Sequence, residues 1–210
     1  MSRGVFISFE GIDGCGKTTQ IELLTVYLLK NEKEVVLTRE PGGCEIAESI
    51  REMILSTESK LGDRGELMLY LAARAEHVDQ IIEPALRSDK WVISDRFSDA
   101  TFAYQGYGRG LDASMITTLN NVATNGLIPD ITILLDIDVD EAYGRRDLRG
   151  KPDRLEQSGR DFFERTREGY LALAKADPTR FIVVDASQSI SNVTQTIFSA
   201  LKEKLQNELT

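Results

Sequence analysis

Five short apolar runs constrain this chain most: "VFISFE" (5–10), "EVVLT" (34–38), "WVISD" (91–95), "ITILLD" (131–136) and "FIVVDA" (181–186). Each is rich in Val and Ile and nearly continuous in apolar character, the pattern of strands buried on both faces of a parallel sheet. Helical patterns lie between them. Ile21, Leu24 and Leu28 form one stripe after Gly16, and Val193, Ile197, Leu201 and Leu205 recur at every fourth position near the end of the chain. The alternation predicts an α/β fold, a five-stranded parallel sheet flanked by helices with right-handed crossovers. A length of 210 residues suits one substantial core, so the chain reads as a single domain over 1–210.

Charge and cysteine usage exclude several classes of function. The formal net charge of -9 argues against a broad basic face for nucleic acid. It leaves room for a small phosphorylated ligand, because a few arginines can be gathered in one cleft and the planar guanidinium suits phosphate. No apolar run approaches a membrane span, and the opening stretch is too short for a signal peptide. Two cysteines, Cys15 and Cys44, make no disulfide framework, and the expectation is a reduced, cytoplasmic protein.

In open α/β sheets ligands sit beyond the carboxyl ends of the strands, and the residues there carry chemistry. The first run leads into Gly11-Ile12-Asp13-Gly14-Cys15-Gly16-Lys17-Thr18, followed by Thr19, a complete G-x-x-x-x-G-K-[ST] between a strand and a helix. Backbone N–H groups of such a loop and the following helix N-terminus cradle phosphates. Lys17 is expected on the β- and γ-phosphates of ATP and Thr18 on Mg²⁺. Cys15 lies near a helix N-terminus, where a thiolate is favoured; a small residue fitting a tight loop is the simpler account. Arg39 follows the second run. The third ends in Asp95, a Walker-B-like carboxylate for Mg²⁺, and Arg96 comes next. Two arginines at strand ends suggest a second anion site beside the ATP loop. Tyr70 and Arg74, four apart on one helical face, pair a ring that can stack on a base with a donor suited to a carbonyl such as thymine O4. His77, the single histidine, reads as structural or solvated. The segment 144–159, "GRRDLRGKPDRLEQSG", breaks the pattern: it is basic at first and lacks an apolar stripe, as a solvated surface loop does.

In this order, "FEGIDGCGKTTQ", "TREPGG", "LMLYLAARAEHV", "SDRFSDATFAYQGYGRG", "PDITILLDID" and "DRLE" resemble the thymidylate kinase family, and the likeness covers nearly the whole chain. The resemblance implies a nucleoside-monophosphate-kinase fold, ATP as phosphoryl donor, dTMP as acceptor, and a homodimer. It implies that Arg39 and Arg96 grip the dTMP phosphate, that Tyr70 stacks on thymine and that Arg74 donates to O4. Asp13 then approaches the sugar 3′-hydroxyl or organises the arginines. Thr101, Tyr104 and Gln105 line base and sugar, Gln105 suits the imide edge of thymine, and Tyr104 crowds the 2′ position. Family members carry a catalytic arginine either in the phosphate loop or in a mobile lid. This loop has none, so the resemblance is to the bacterial lid-arginine type, with 144–159 as lid and Arg149 as the catalytic residue. Arg145, Arg146 and Arg154 are the next candidates, one of which packs on adenine instead. Asp185, after the last run, lies where the family binds the donor base. Thymine against uracil and the identity of the donor base stay open. The rival readings are another nucleoside or nucleoside-monophosphate kinase and a nucleotide-binding switch; against the switch, no guanine-reading N-K-x-D follows a later strand.

Overall fold

A computed structural model describes residues 3–146 and 153–205. Its five parallel strands are β1 (Phe6–Glu10), β2 (Val35–Arg39), β3 (Trp91–Asp95), β4 (Ile131–Asp136) and β5 (Phe181–Asp185), in the spatial order β2-β3-β1-β4-β5. Every strand begins and ends within a residue or so of an apolar run in the sequence. Burial on both faces holds for the inner strands: all five residues of β1 are buried. It fails at the sheet edges, where Leu37 of β2 and Val183 of β5 are exposed. An edge strand has a neighbour on one side only, so flanking helices cover it less completely.

The helices are α1 (Lys17–Lys30), α2 (Glu45–Leu55), α3 (Asp63–His77), α4 (Glu83–Arg87), α5 (Ser98–Thr101), α6 (Ala113–Thr124), α7 (Val139–Arg146), α8 (Arg160–Ala176) and α9 (Ile190–Lys204). The predicted stripes face inward: Leu24 and Leu28 of α1 and Val193, Ile197 and Leu201 of α9 join β1 and β4 in the main core, while Leu205 is only partly buried. Each fully buried leucine there contributes about 1.5–3 kcal/mol. Asp112 and Ser189 cap α6 and α9 by accepting from the N–H groups of Met115 and Asn192, which would otherwise lack partners.

Two wide π-helical turns interrupt this regularity. One (Val78–Ile82) joins α3 to α4, and the other (Phe102–Gly108) continues α5 and carries Tyr104 and Gln105. Such turns gather at functional sites because they shift the direction of successive side chains. The second turn packs closely on α8. A Cβ at Gly169 would lie 2.8 Å from the Tyr107 ring, so only glycine permits that approach. The closeness lets Tyr170 of α8 reach Glu10 at the end of β1 and Arg96 after β3.

Candidate active site

The carboxyl ends of β1, β2 and β3 meet in one cleft. Strand register places them side by side: Asp95 lies level with Phe9 on one flank and with Arg39 on the other. Lys17, Thr18, Arg39, Asp95, Arg96 and Asp13 all line this cleft, as do Tyr70, Arg74, Thr101, Tyr104 and Gln105 on its α3 side. These residues read from sequence share one cavity, while Cys15, Thr19 and Arg145 border another.

The phosphate loop has the shape its glycines demand. Gly11 sits at φ 131, and a Cβ there would meet the Leu135 carbonyl at 2.5 Å. Ile12 is buried in the core. Lys17 folds back, its Nζ 3.2 Å from the Gly11 carbonyl, 3.5 Å from that of Ile12 and 3.8 Å from Cys15 Sγ. These long contacts are ones an incoming phosphate can replace. Of the two accounts of Cys15, burial favours the small residue in a tight loop over the thiolate: it pushes the thiol up despite the neighbouring Lys17 and Arg96.

Arg96 is the knot of the cleft. Its backbone is left-handed at φ 72, a strained state for a non-glycine residue that surrounding contacts must hold. NH1 donates to the Gly11 carbonyl (2.8 Å) and to Tyr170 (3.0 Å); NH2 donates to Asp13 (2.7 Å) and to the Tyr104 hydroxyl (3.0 Å). Burial opposes its charge, but Tyr104, Asp13 and Tyr170 outweigh that, and its pKa is raised. For Asp13, burial works upward, while Arg96 and Lys17 prevail and hold the carboxyl at about 2. Glu10 is fully buried behind this group, accepting from Tyr170 and from the Phe97 N–H; burial and then Asp99 push it up to about 8. Beside Arg96, Arg39 holds one exposed pair with Glu48 at 2.9 Å, and Arg51 of α2 donates to the Pro41 carbonyl at 2.8 Å.

The α3 side is built differently. Arg74 is buried, and four hydrogen bonds hold its guanidinium: Nε donates to Glu40, NH1 to Thr101 and to Asn120, and NH2 to the Phe97 carbonyl. NH2 also lies 2.7 Å from Glu40 in the ion pair. Arg74, expected from sequence to donate to thymine O4, lines the cleft and here spends four N–H donors on Glu40, Thr101, Asn120 and Phe97. Thr101, which accepts from Arg74, still has its own hydroxyl proton to give. His77 is fully buried between Thr38 (2.6 Å) and Glu40 (3.1 Å), so the solvated alternative is excluded and the structural one holds. The Gln105 amide donates to Glu66 at 2.8 Å.

Part of the basic segment lies within the described residues. Arg145 donates to the Ala186 carbonyl (2.9 Å) and borders a second cavity with Thr19, Gln188 and Ile190. Arg154 donates to the Ile54 carbonyl and to Glu66, both at 2.7 Å, which ties it to α2 and α3. Arg149 and the side chain of Arg146 lie outside the described residues. Asp185 accepts from Ser187 and Gln188, shaping the turn beside the second cavity rather than lining it.

Sequence reasoning missed Glu10, Glu40, Arg51, Glu66, Asn120 and Tyr170. Glu66 stands four residues before Tyr70, and Glu40 sits inside "TREPGG", so spacing could have flagged both. Nothing local marks Tyr170 or Asn120, which reach the site only through folding.

Comparison with known proteins agrees with this architecture. Residues 9–197 match the family model described as thymidylate kinase. The thymidylate kinase of Kosmotoga olearia is 48% identical over 193 residues, covering 92% of this chain and 93% of its own. That of Geotalea uraniireducens is 46% identical over 209 residues, covering 96% and 98%. The crystal structure of thymidylate kinase from Ehrlichia chaffeensis superimposes with a TM-score of 0.77 at 38% identity, over 95% of this chain and 99% of that one.

Proposed function

The chain belongs to the thymidylate kinase family, and on that premise we propose that it phosphorylates dTMP to dTDP with ATP, as one kinase domain whose lid is the segment 144–159. The observation that carries the reading is the shared cleft: the phosphate-loop residues Asp13, Gly14, Gly16, Lys17 and Thr18, two strand-end arginines and an aromatic side chain line one cavity.

In this reading Lys17 and the loop N–H groups of Gly11 to Thr19 hold the ATP phosphates. Arg39 and Arg96 hold the acceptor phosphate and offset the charge that would repel ATP, and Asp13 keeps Arg96 aimed. Tyr70 stacks on the base, with Thr101, Tyr104 and Gln105 around base and sugar and Arg74 bracing Thr101. The acceptor phosphate is already a nucleophile at neutral pH, so positioning and charge neutralisation carry the catalysis. Mg²⁺ fits as a companion of the nucleotide: Asp95 Oδ1 is buried with no hydrogen-bond partner among the described residues, and Thr18 lines the same cleft. Among the described residues no group of three or more His, Cys, Asp or Glu is placed to hold a metal by itself, in keeping with an ion bound mainly by phosphates. When bound, it neutralises phosphate charge.

Arg149 is the residue we assign to the transferring phosphoryl. Its support is the absence of arginine in the loop, together with the engagement of Arg145 by Ala186 and of Arg154 by Glu66. The assembly is a cytoplasmic homodimer on the same reading; the two cysteines are free and buried, and among the described residues no helix is long and apolar enough to cross a membrane.

The test is acceptor-dependent ADP release across dTMP, dUMP, UMP, dCMP and thymidine. The expected result is strong preference for dTMP; ADP release that ignores the acceptor, or preference for another one, overturns it. Arg149→Ala lowers kcat by roughly 10³ or more, in the range of arginines supplied to phosphoryl transfer, with dTMP affinity nearly intact. Unchanged turnover moves that role to another residue.

A further inference from the structure

Among the described residues, Glu66 is the carboxylate that accepts the most hydrogen bonds. It is fully buried, on the first turn of α3, and does not itself line the cleft. Four contacts converge on it: Gln105 Nε2 at 2.8 Å and Arg109 Nε at 3.3 Å on Oε1, Arg109 NH2 at 3.2 Å and Arg154 NH2 at 2.7 Å on Oε2. Two guanidiniums pressed against a buried carboxyl favour its ionised form, and an ionised carboxylate only accepts hydrogen bonds.

That chemistry dictates which way the Gln105 amide points. Its NH₂ must face Glu66, because the carbonyl would meet a second acceptor. Gln105 itself lines the cleft, so the end left for the cavity is the carbonyl Oε1, which takes no donor among the described residues. Left to itself, a glutamine presents either polarity; here the contact with Glu66 turns the NH₂ end away and leaves the carbonyl as the acceptor toward the cavity. Beside it, Arg74 spends four donors on protein partners, and Thr101 keeps one hydroxyl proton of its own, a donor that suits a carbonyl such as O4.

We propose that Glu66 is a specificity-determining positioning residue, which locks the Gln105 carbonyl toward the acceptor base so that the cleft takes a pyrimidine with an N3–H donor, a thymine- or uracil-type imide, and rejects one whose N3 is an acceptor or is blocked. Arg109 and Arg154 serve the lock by keeping Glu66 ionised. The inference rests on the proposed function, because it assumes that a pyrimidine monophosphate occupies the cleft. It goes beyond that reading in naming the group that sets the polarity.

The experiment compares wild type and Glu66→Gln with dTMP, dCMP and 3-methyl-dTMP as acceptors, reading KM and kcat separately. Wild type is expected to use dTMP and to lose 10-fold or more in kcat/KM on 3-methyl-dTMP, mostly through KM, the scale of one lost base-specific contact. Equal use of dTMP and 3-methyl-dTMP overturns the proposal while leaving dTMP kinase activity standing; failure on dTMP itself overturns the proposed function instead. In Glu66→Gln, residue 66 can donate as well as accept, so Gln105 is free to turn, and the dTMP:dCMP preference is expected to fall about 10-fold. A general loss of structure lowers both acceptors alike and leaves that ratio unmoved, and an unmoved ratio in a folded variant overturns the proposal. Should Glu66→Gln not fold, Gln105→Leu leaves both arginine pairs on Glu66 in place. A raised KM for dTMP with kcat little changed then supports the proposal, and an unaltered KM overturns it.

Discussion

The loop side and the α3 side of the cleft use the same residue types in opposite ways. Beside the phosphate loop, cations are held loosely: Lys17 keeps long contacts to backbone carbonyls, Arg39 has one exposed pair, and Arg51 has one carbonyl. On the α3 side, Arg74 and Glu66 are buried in a network with Glu40, Thr101, Asn120, Gln105, Arg109 and Arg154. A phosphate brings its own charge and tolerates many geometries, so donors there must stay available. A base differs from its rivals by one proton, so the groups that read it must hold one polarity. Loose cations bind and closed networks discriminate. Arg96 stands at the boundary and has both characters, engaged by Asp13, Tyr104 and Tyr170 yet lining the cleft.

The sharpest way to break this contrast is Lys17→Ala. It should abolish phosphoryl transfer, a loss of at least roughly 10³, with little change in melting temperature because the contacts removed are long. Measurable turnover near the wild-type level would deny that the loop holds a phosphate. Glu40→Ala probes the opposite side. It strips Arg74 and His77 of their shared carboxylate and leaves a buried guanidinium uncompensated, at a cost of about 3–5 kcal/mol. That corresponds to roughly 10 °C in melting temperature for a chain of this size. Arg39→Ala, which removes only an exposed pair, should cost about 0–1 kcal/mol and act on the KM for dTMP instead. Similar melting temperatures for these two variants would erase the distinction.

A last prediction is a pH slope from Glu10. Its folded-state pKa of about 8 lies above the ordinary 4.5, so between those values the folded protein holds a proton that the unfolded chain has released. Stability from this group is present below about pH 4.5 and fades as pH rises through about 8. The melting temperature of wild type should therefore fall more between pH 6 and 9 than that of Glu10→Gln. Parallel slopes would mean that Glu10 is ionised in the fold at neutral pH.

Most of the scaffold was legible before folding. Strands, the phosphate loop and the inward stripes of α1 and α9 follow from local pattern, because apolar periodicity and the glycine spacing of a loop act within a few residues. Arg39, Asp95 and Arg96 could be placed at strand ends for the same reason. The partners of Arg74 could not. Glu40, Thr101 and Asn120 lie 34, 27 and 46 residues away, and no local rule says that a helical arginine will meet all three.

What the chain's residues determined by themselves is where charge and backbone are offered to phosphate, since a strand, a turn of glycines and a helix N-terminus need only their own neighbours. Folding alone decided which of those charges stay available. Sheet order sets β2 and β3 side by side, a glycine lets α8 approach until Tyr170 reaches Arg96, and α3 brings Glu66 under Gln105. A hydrogen-bond donor has a fixed number of protons, and whether any is left for a ligand depends on neighbours that only three-dimensional packing supplies.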